Sequence, residues 1–221
     1  MPRFFMICLA HSRKHGGRCI AGLRADGQGW IRPVTADGGP LQREHYRLDD
    51  GSEPRLLDLI SIECSRPAPD PLQPENWAIS GQPWQLLKRP APPAMLSVLS
   101  FALSAGPYLF GSRDDRVPRD RICRSSRKRS LELIVPQAVQ EWYVNDRKQA
   151  RVKFNLKGAR YDLSVTDIIW EERIKKSGGR IGGIADGRLM FTVSLGRPFK
   201  DDCCYKLVAG IVAAPEVSSE D

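Results

Sequence analysis

The residues best suited to chemistry in this chain lie between positions 10 and 22, where cations, a hydroxyl group and glycines follow one another closely. The segment contains Ser12, Arg13, Lys14, His15 and Arg18, together with two adjacent glycines that let a ligand approach the backbone. Backbone N–H groups and basic side chains in such a turn form an anion-binding nest. We therefore predict that these five residues bind phosphate. The alternative is an ordinary exposed turn in which glycine supplies the positive φ.

A second set of candidates comes from an aromatic ring beside a cation and from a basic sheet face. Trp30 and Arg32 together offer a stacking surface for a base and a contact for a phosphate. Residues 151–157 and 160–166 alternate between polar and apolar side chains, and a two-residue turn at Gly158-Ala159 would place every apolar side chain on one face. The opposite face is then predicted to contact nucleic acid through three cations: Lys153, Lys157 and Arg160.

Signatures of catalysis or metal binding are weak throughout the sequence. No nucleotide-binding glycine motif, nucleophile elbow or metalloprotease motif occurs, and Asp146 in a D-x-K sequence is a minor candidate for a nuclease centre. Cys8, His11, His15 and Cys19 are zinc-ligand types at close spacing, but both cysteines lie in apolar runs that favour buried thiols. We predict no catalytic residue, no metal and no cofactor, which favours a binding protein and leaves enzymatic activity open.

Short β-strands must position these residues in the first half of the chain. Closely spaced apolar runs separated by polar and glycine turns predict a small barrel. Eight of the 17 prolines then fall within residues 67–93, which excludes a central strand or a long helix and predicts an extended connector anchored at residues 77–79. The predicted strands span residues 3–10, 18–23, 30–34 and 58–64.

In the second half, the hairpin is followed by a predicted helix over residues 167–177. Asp167 suits its N-cap and Gly178 its end, while glutamates and lysines four residues apart support its exposed face. A glycine-rich loop at 178–187 separates this helix from two further predicted strands, at 189–195 and 205–213.

Composition and charge indicate a globular protein with an anionic partner. The 221 residues include 34 Lys+Arg and 26 Asp+Glu, giving a net charge of +8, and 41% are hydrophobic. The cations concentrate at 111–130 and 147–180, and a positive surface attracts anions. No apolar run is long enough for a transmembrane helix, and the N-terminal apolar run is too short for a signal peptide. We therefore expect a cytoplasmic location, reduced thiols and no membrane partner.

Several ordered motifs resemble one known family. The string S-R-K-H-G-G-R-C-I-A-G is followed by W-I-R-P-V at 30–34, L-D-L-I at 57–60, Q-P-E-N-W at 73–77 and Y-D-L-S-V-T-D at 161–167. Together they resemble the dual OB-fold-containing domain family of prokaryotic proteins, over residues 3–214. The first motif and the Q-P-E-N-W motif are specific, whereas the strand motifs alone are not.

The resemblance implies a mainly β protein of two tandem OB-like β-barrels, with a few short helices and a proline-rich connector. From the resemblance together with the patterns along the chain, we expect an N-terminal barrel with the connector at 1–90, a helix and Arg-rich linking loop at 91–128, a C-terminal barrel at 129–215 and an acidic tail at 216–221. The resemblance also implies nucleic-acid or nucleotide binding in bacterial conflict or defence systems, including phage defence.

These observations predict a nucleic-acid-binding protein whose partner is single-stranded RNA or DNA. A sensor in which the same basic loop holds a phosphorylated nucleotide is a competing hypothesis. A nuclease or phosphohydrolase is a further hypothesis, and so is a protein-interaction module that recruits an effector protein. A polymer bound through several phosphates loses affinity steeply with salt, and a small ligand does so much less, so salt dependence separates strand binding from the sensor.

Overall fold

The computed structural model describes residues 1–14, 16–90, 98–126, 128–181 and 189–213. The predicted site residue His15 and the acidic tail lie outside the described residues, as do residues 182–187 of the glycine-rich loop. The longest helix in the described part of the chain has ten residues, and none of the described helices could cross a membrane.

The first half forms a closed five-stranded barrel. Its strands run in the order β1-β2-β3-β5-β4, and β4 returns to pair with β1, while β6 extends the sheet beside β4. β3 and β5 are parallel, and a short helix α1 precedes β4. This is the five-stranded Greek-key barrel of an OB fold. The elements are β1 Arg3–Lys14, β2 Gly17–Arg24, β3 Trp30–Val34, α1 Arg43–Tyr46, β4 Leu59–Pro67, β5 Asn76–Ile79 and β6 Gln85–Lys88.

The apolar runs fill the centre of this barrel as their alternation requires. Met6, Cys8, Ile20, Ile31 and Ile60 are buried together. The prediction that residues 67–93 contain no central strand is wrong, because the anchored piece is β5, a full barrel strand between β3 and β4. It fits there because Pro74 lies before the strand and Pro67 at the end of β4, so no proline interrupts β5 itself.

The second half repeats the same topology with a broken first strand. Its sheet runs β8-β12-β13-β11-β10-β9, with β11 parallel to β13 and β7 added beside β13. β8 and β9 are separated only by residues 135–137, which include Pro136. β8 pairs with the fourth strand of the barrel and β9 with the second, as the two halves of β1 do in the first barrel. The strands are β7 Arg116–Pro118, β8 Leu131–Ile134, β9 Ala138–Val144, β10 Ala150–Leu156, β11 Ala159–Val165, β12 Leu189–Pro198 and β13 Cys203–Ala213.

Helices are few and short in the described residues, which confirms the predicted mainly β class of two OB-like barrels. The helix predicted at 167–177 is present and follows an N-cap at Asp167. The other helical segments lie between the barrels. They are α2 Arg119–Arg124 and the 3₁₀ turns at Leu99–Ala102 and Leu109–Gly111, whereas the predicted helix is α3 Ile168–Ser177, between β11 and β12.

The β10–β11 hairpin has the predicted faces and a different register. The predicted turn at Gly158-Ala159 is wrong, because the turn residues are Lys157 and Gly158, with φ values of 47° and 82°. Positive φ at both central positions is the type I′ turn that matches strand twist. Val152 therefore pairs with Leu163 and Phe154 with Tyr161. A shift of two residues in the pairing keeps all apolar side chains on the inner face.

Asp167 connects the helix α3 to the last strand. Its carboxylate accepts hydrogen bonds from Trp170 N at 2.9 Å and Ile211 N at 3.0 Å, and its side chain is buried. Burial disfavours the charged form and raises the pKa of Asp167 to about 6, although both hydrogen bonds act in the opposite direction.

This raised pKa predicts a pH-dependent contribution to stability. The folded state binds a proton more tightly than the unfolded state, so the contribution of Asp167 is full below about pH 4 and is lost as the pH rises through about 6. Between pH 4 and 7, the free energy of unfolding of wild type should fall by about 2 kcal/mol relative to Asp167→Asn, which cannot ionise.

Chemical denaturation at several pH values measures this difference. Asp167→Asn also loses the bond from Ile211, but that loss is the same at every pH and does not alter the trend. The exposed Asp146→Asn is the control for removing one carboxylate. Parallel curves for wild type and Asp167→Asn would contradict the prediction.

Candidate nucleic-acid interface

The outer face of the first barrel is covered by the second barrel. An OB barrel typically binds oligonucleotides on the face of its second and third strands. Here that face is apolar: Leu23 packs in one cluster with Leu133 and Met190, and Ala21 packs in another with Ala209. Trp30 is half-buried against both clusters. The usual binding face of the first barrel is therefore an internal surface.

A buried ion pair lies within this contact between the barrels. Arg32 on β3 is only 1% exposed, and its Nη2 lies 3.0 Å from Glu75 Oε1. The same nitrogen donates to Ser130 Oγ at 2.9 Å and Ser194 Oγ at 3.3 Å, both in the second half of the chain. Ser130 in turn donates to Glu75. Arg32 thus joins the two barrels by charge-assisted hydrogen bonds.

A cleft of about 180 Å³ opens at the edge of this contact. The end of the β1–β2 hairpin lines one side, the loop before β5 another, and β12 of the second barrel a third. The inner wall includes the buried Arg32. The other polar side chains in the lining, apart from the thiol of Cys19, are Ser12, Arg13, Lys14, Gln73, Thr166, Ser194 and Arg197.

Cations dominate the side chains that line this cleft. Burial lowers the pKa of Lys14, and the positive charges of Arg32 and Arg197 lower it further, with Cys19 and Asp70 acting in the opposite direction. Arg197 is exposed and makes a long hydrogen bond to Gly38 O at 3.4 Å. Like charges held together in a half-buried site favour an anionic ligand.

The second barrel has an open outer face. One row of cross-strand partners runs from Tyr143 on β9 through Arg151 and Ser164 to Leu207 on β13, and Leu207 pairs with Ser194 on β12. Leu207 and Ser194 also line the cleft. The open face and the cationic cleft are therefore one continuous surface.

Aromatic rings on this open face are held by cations. Lys153 Nζ lies 4.8 Å from the centre of the Tyr143 ring, and Arg116 lies 4.6 Å from the Tyr205 ring. Tyr143 OH also donates to Asp162 at 2.6 Å. Tyr205 precedes Leu207 by two residues on β13 and so faces the same side. The rings are half-buried and fixed in place, as a stacking platform requires.

Residues 5–211 match the family described as Dual OB-containing domain. The chain belongs to that family. No curated protein matches it. One similar solved structure is described as a murine DNA-binding protein bound with double-stranded DNA; it shares 8% identity and a TM-score of 0.31, with 97% of this chain and 100% of that chain covered.

The structure brings four predicted residues of this dual OB domain to the cleft: Ser12, Arg13, Lys14 and Arg32. Ser12 is buried, and its hydroxyl donates to Cys19 O at 3.4 Å. Arg13 is exposed and pairs with Glu171 on α3 at 3.2 Å, so it forms a second contact between the barrels. Binding by these residues stays a prediction.

The other predicted residues of the first barrel lie elsewhere. Arg18, the cross-strand partner of Arg13, is not among the residues that line the cleft. Its Nη1 donates to Gly17 O at 3.5 Å. Trp30 packs between the barrels, which leaves only part of its ring for a base.

The cations predicted on the β10–β11 hairpin differ in whether their side chains already have a partner. Lys153 pairs with Glu141 at 2.7 Å, and Lys157 donates to Ala105 O. Arg160 is exposed and forms no ion pair with the described residues. Arg160 is consequently the hairpin cation best placed to contact a phosphate.

Sequence reasoning missed Arg197, Ser194, Tyr143 and Tyr205 as site residues. Arg197 and Ser194 reach the cleft only because β12 lies beside the first barrel. The positions of the two tyrosines in their strands indicate that they face outward, because each lies next to a buried residue. Trp142 is the buried neighbour of Tyr143, and Lys206 is that of Tyr205.

Proposed function

We propose that this dual OB domain binds single-stranded nucleic acid across the outer face of its second barrel and into the cleft between the barrels. The observation that carries the proposal is the continuous row from Tyr143 to Ser194, which connects fixed aromatic rings with a cationic cleft. Aromatic rings stack on bases of any sequence, and cations along the path contact the phosphates.

The positive charges along the proposed binding path are spread over separate positions, which supports a polymeric ligand. Arg160 is exposed on the face, and Arg147 and Lys148 are exposed in the loop between β9 and β10. In an OB fold, this first inter-strand loop flanks the binding face. Lys153 and Arg151 are paired with Glu141 and Asp162, so they hold the face in shape more than they attract phosphate. Separate cations at the rim and in the cleft match the repeated charges of a strand.

The openness of the face favours a single strand over a duplex. The half-buried rings of Tyr143 and Tyr205 lie on a sheet and do not enclose a ligand. Such rings stack on bases that are themselves unstacked and splayed outward, which a duplex does not present.

The double variant Tyr143→Leu/Arg160→Ala should bind a labelled single-stranded oligonucleotide at least about tenfold more weakly, because one stacked base alone contributes about 1–3 kcal/mol. The slope of log affinity against log salt should also fall by about 0.7, as expected for one lost phosphate contact. Fluorescence anisotropy at several salt concentrations measures both quantities for RNA, DNA and a duplex.

The double variant Arg47→Ala/Lys88→Ala is the control. Both side chains are exposed on the first barrel, away from the proposed path, and their removal lowers the net charge. This control should retain nearly all of the affinity. The proposal is wrong if wild type binds no single strand at low salt, or if a mononucleotide binds as tightly as the oligonucleotide with little dependence on salt.

A further inference from the structure

Two buried polar side chains in the cleft between the barrels have polar atoms without partners. Arg32 is 1% exposed and Gln73 is 3% exposed. Neither Arg32 Nε nor Gln73 Oε1 has a hydrogen-bond partner among the described residues, and both residues line the cleft. A buried polar group without a partner costs about 1–3 kcal/mol. A ligand that accepts a hydrogen bond from Arg32 Nε would recover part of this cost.

The cleft is too small for a whole nucleotide. Its volume of about 180 Å³ is below the range of about 300–1,000 Å³ typical of small-molecule sites. Its inner wall contains Arg32 and Ser194, which are joined by a hydrogen bond and buried. A group that enters must therefore be compact and must end there.

The charges in the cleft leave cations in excess. Arg32 is balanced by Glu75, and Arg13 by Glu171. Lys14 and Arg197 remain, and Asp70 is the carboxylate whose charge acts on Lys14. Lys14 and Arg197 come from different barrels, so the site is complete only in the intact chain.

We propose that the cleft binds a phosphate monoester, held by Lys14, Arg197 and Arg32 Nε. The proposal rests on the proposed function in one respect: the monoester is the terminal phosphate of a bound strand. A phosphodiester inside a strand continues in two directions, which the inner wall of the cleft does not allow. A monoester carries a second negative charge and continues in only one.

The test compares oligonucleotides of one sequence that carry a phosphate at the 5′ end, at the 3′ end or at neither end. One of the two phosphorylated forms should bind wild type at least about tenfold more tightly than the hydroxyl form, as expected when new charge-assisted hydrogen bonds form. In Lys14→Met this preference should fall to about twofold or less, and Lys88→Met, the matched exposed lysine, should retain it. Calorimetric titrations with inorganic phosphate and with a nucleoside 5′-monophosphate measure whether the cleft also binds a phosphate group that is not part of a strand.

The outcomes separate this proposal from the proposed function. If the hydroxyl form binds and neither terminal phosphate adds affinity, the cleft proposal is wrong and strand binding stands. If no oligonucleotide binds while inorganic phosphate binds wild type and not Lys14→Met, the phosphate site in the cleft stands, whereas strand binding and the strand's terminal phosphate as the ligand are wrong. Equal preferences in wild type and Lys14→Met would also overturn the role of the cleft.

Discussion

Replacing Arg32 by methionine should lower the free energy of unfolding by about 3–5 kcal/mol, because the substitution leaves Glu75 buried and charged without its partner. Glu75 has a 7% exposed side chain, and its carboxylate lies 3.0 Å from Arg32. Ser130 and Ser194 also lose a donor in the variant. Chemical denaturation of wild type and Arg32→Met measures the difference.

Two further variants test whether burial of the pair is the cause. Arg13→Met removes an exposed ion pair that does join the two barrels, in which Arg13 is 57% exposed, and should cost about 0–1 kcal/mol. Arg32→Met/Glu75→Gln leaves neither residue of the pair charged. It should regain at least about half of the free energy of unfolding that Arg32→Met loses. A loss in Arg32→Met no larger than in Arg13→Met would show that the buried pair does not hold the barrels together.

Gly210→Ala should destabilise the protein by about 3 kcal/mol or more, at the upper end of the cost of overpacking. A Cβ atom at Gly210 on β13 would lie 2.0 Å from the carbonyl oxygen of Leu9 on β1 and 3.1 Å from Ala10 Cα. These are backbone atoms of the other barrel, so no side-chain rotation relieves the contact. The pairing of β1 shifts at Leu9, which lies in a bulge. The alanine must therefore push the two barrels apart.

Gly196→Ala is the matched control for Gly210→Ala. Gly196 lies on β12, beside β13, and an added Cβ would meet its nearest atoms at 3.5 and 3.6 Å, which is ordinary contact. Its free energy of unfolding should stay within about 1 kcal/mol of wild type. If Gly210→Ala had a similarly small effect, the backbones of β13 and β1 would not be packed as closely as the short distance to the Leu9 carbonyl oxygen indicates.

Local patterns account for much of the fold. Alternation at 151–165 predicts the β10–β11 hairpin and its inner face, and Asp167 with Gly178 predicts the limits of α3. The predicted turn is displaced by one residue because Lys157 adopts a positive φ. Glycine and asparagine favour that conformation and lysine does not, so the residue type at position 157 does not predict the turn there. The Greek-key closure of each barrel depends on pairings between distant strands, and the family resemblance supplied that information.

The candidate site was harder to predict because its environment comes from both barrels. Arg32 beside Trp30 has the pattern of an exposed phosphate contact, but Glu75 lies 43 residues later and buries the charge. Lys14 is correctly associated with a basic loop, whereas Arg197 and Gln73 are too distant in sequence for their convergence to be visible. Residue type identified the cations, and only the packing of the barrels distinguishes a structural arginine from one that faces a cleft.

The covered face of the first barrel also has a consequence for how the chain is synthesised. On the ribosome, residues 3–88 emerge first and can close their barrel before the second is complete. Leu23 and Trp30 then remain exposed until β13, the last strand described, supplies Ala209 and Val212 to the clusters that cover them. Apolar surface left open on an incomplete chain promotes aggregation. The nascent protein therefore stays vulnerable until β13 has been translated, and chaperone binding during that interval would be directed to the face that the folded molecule conceals.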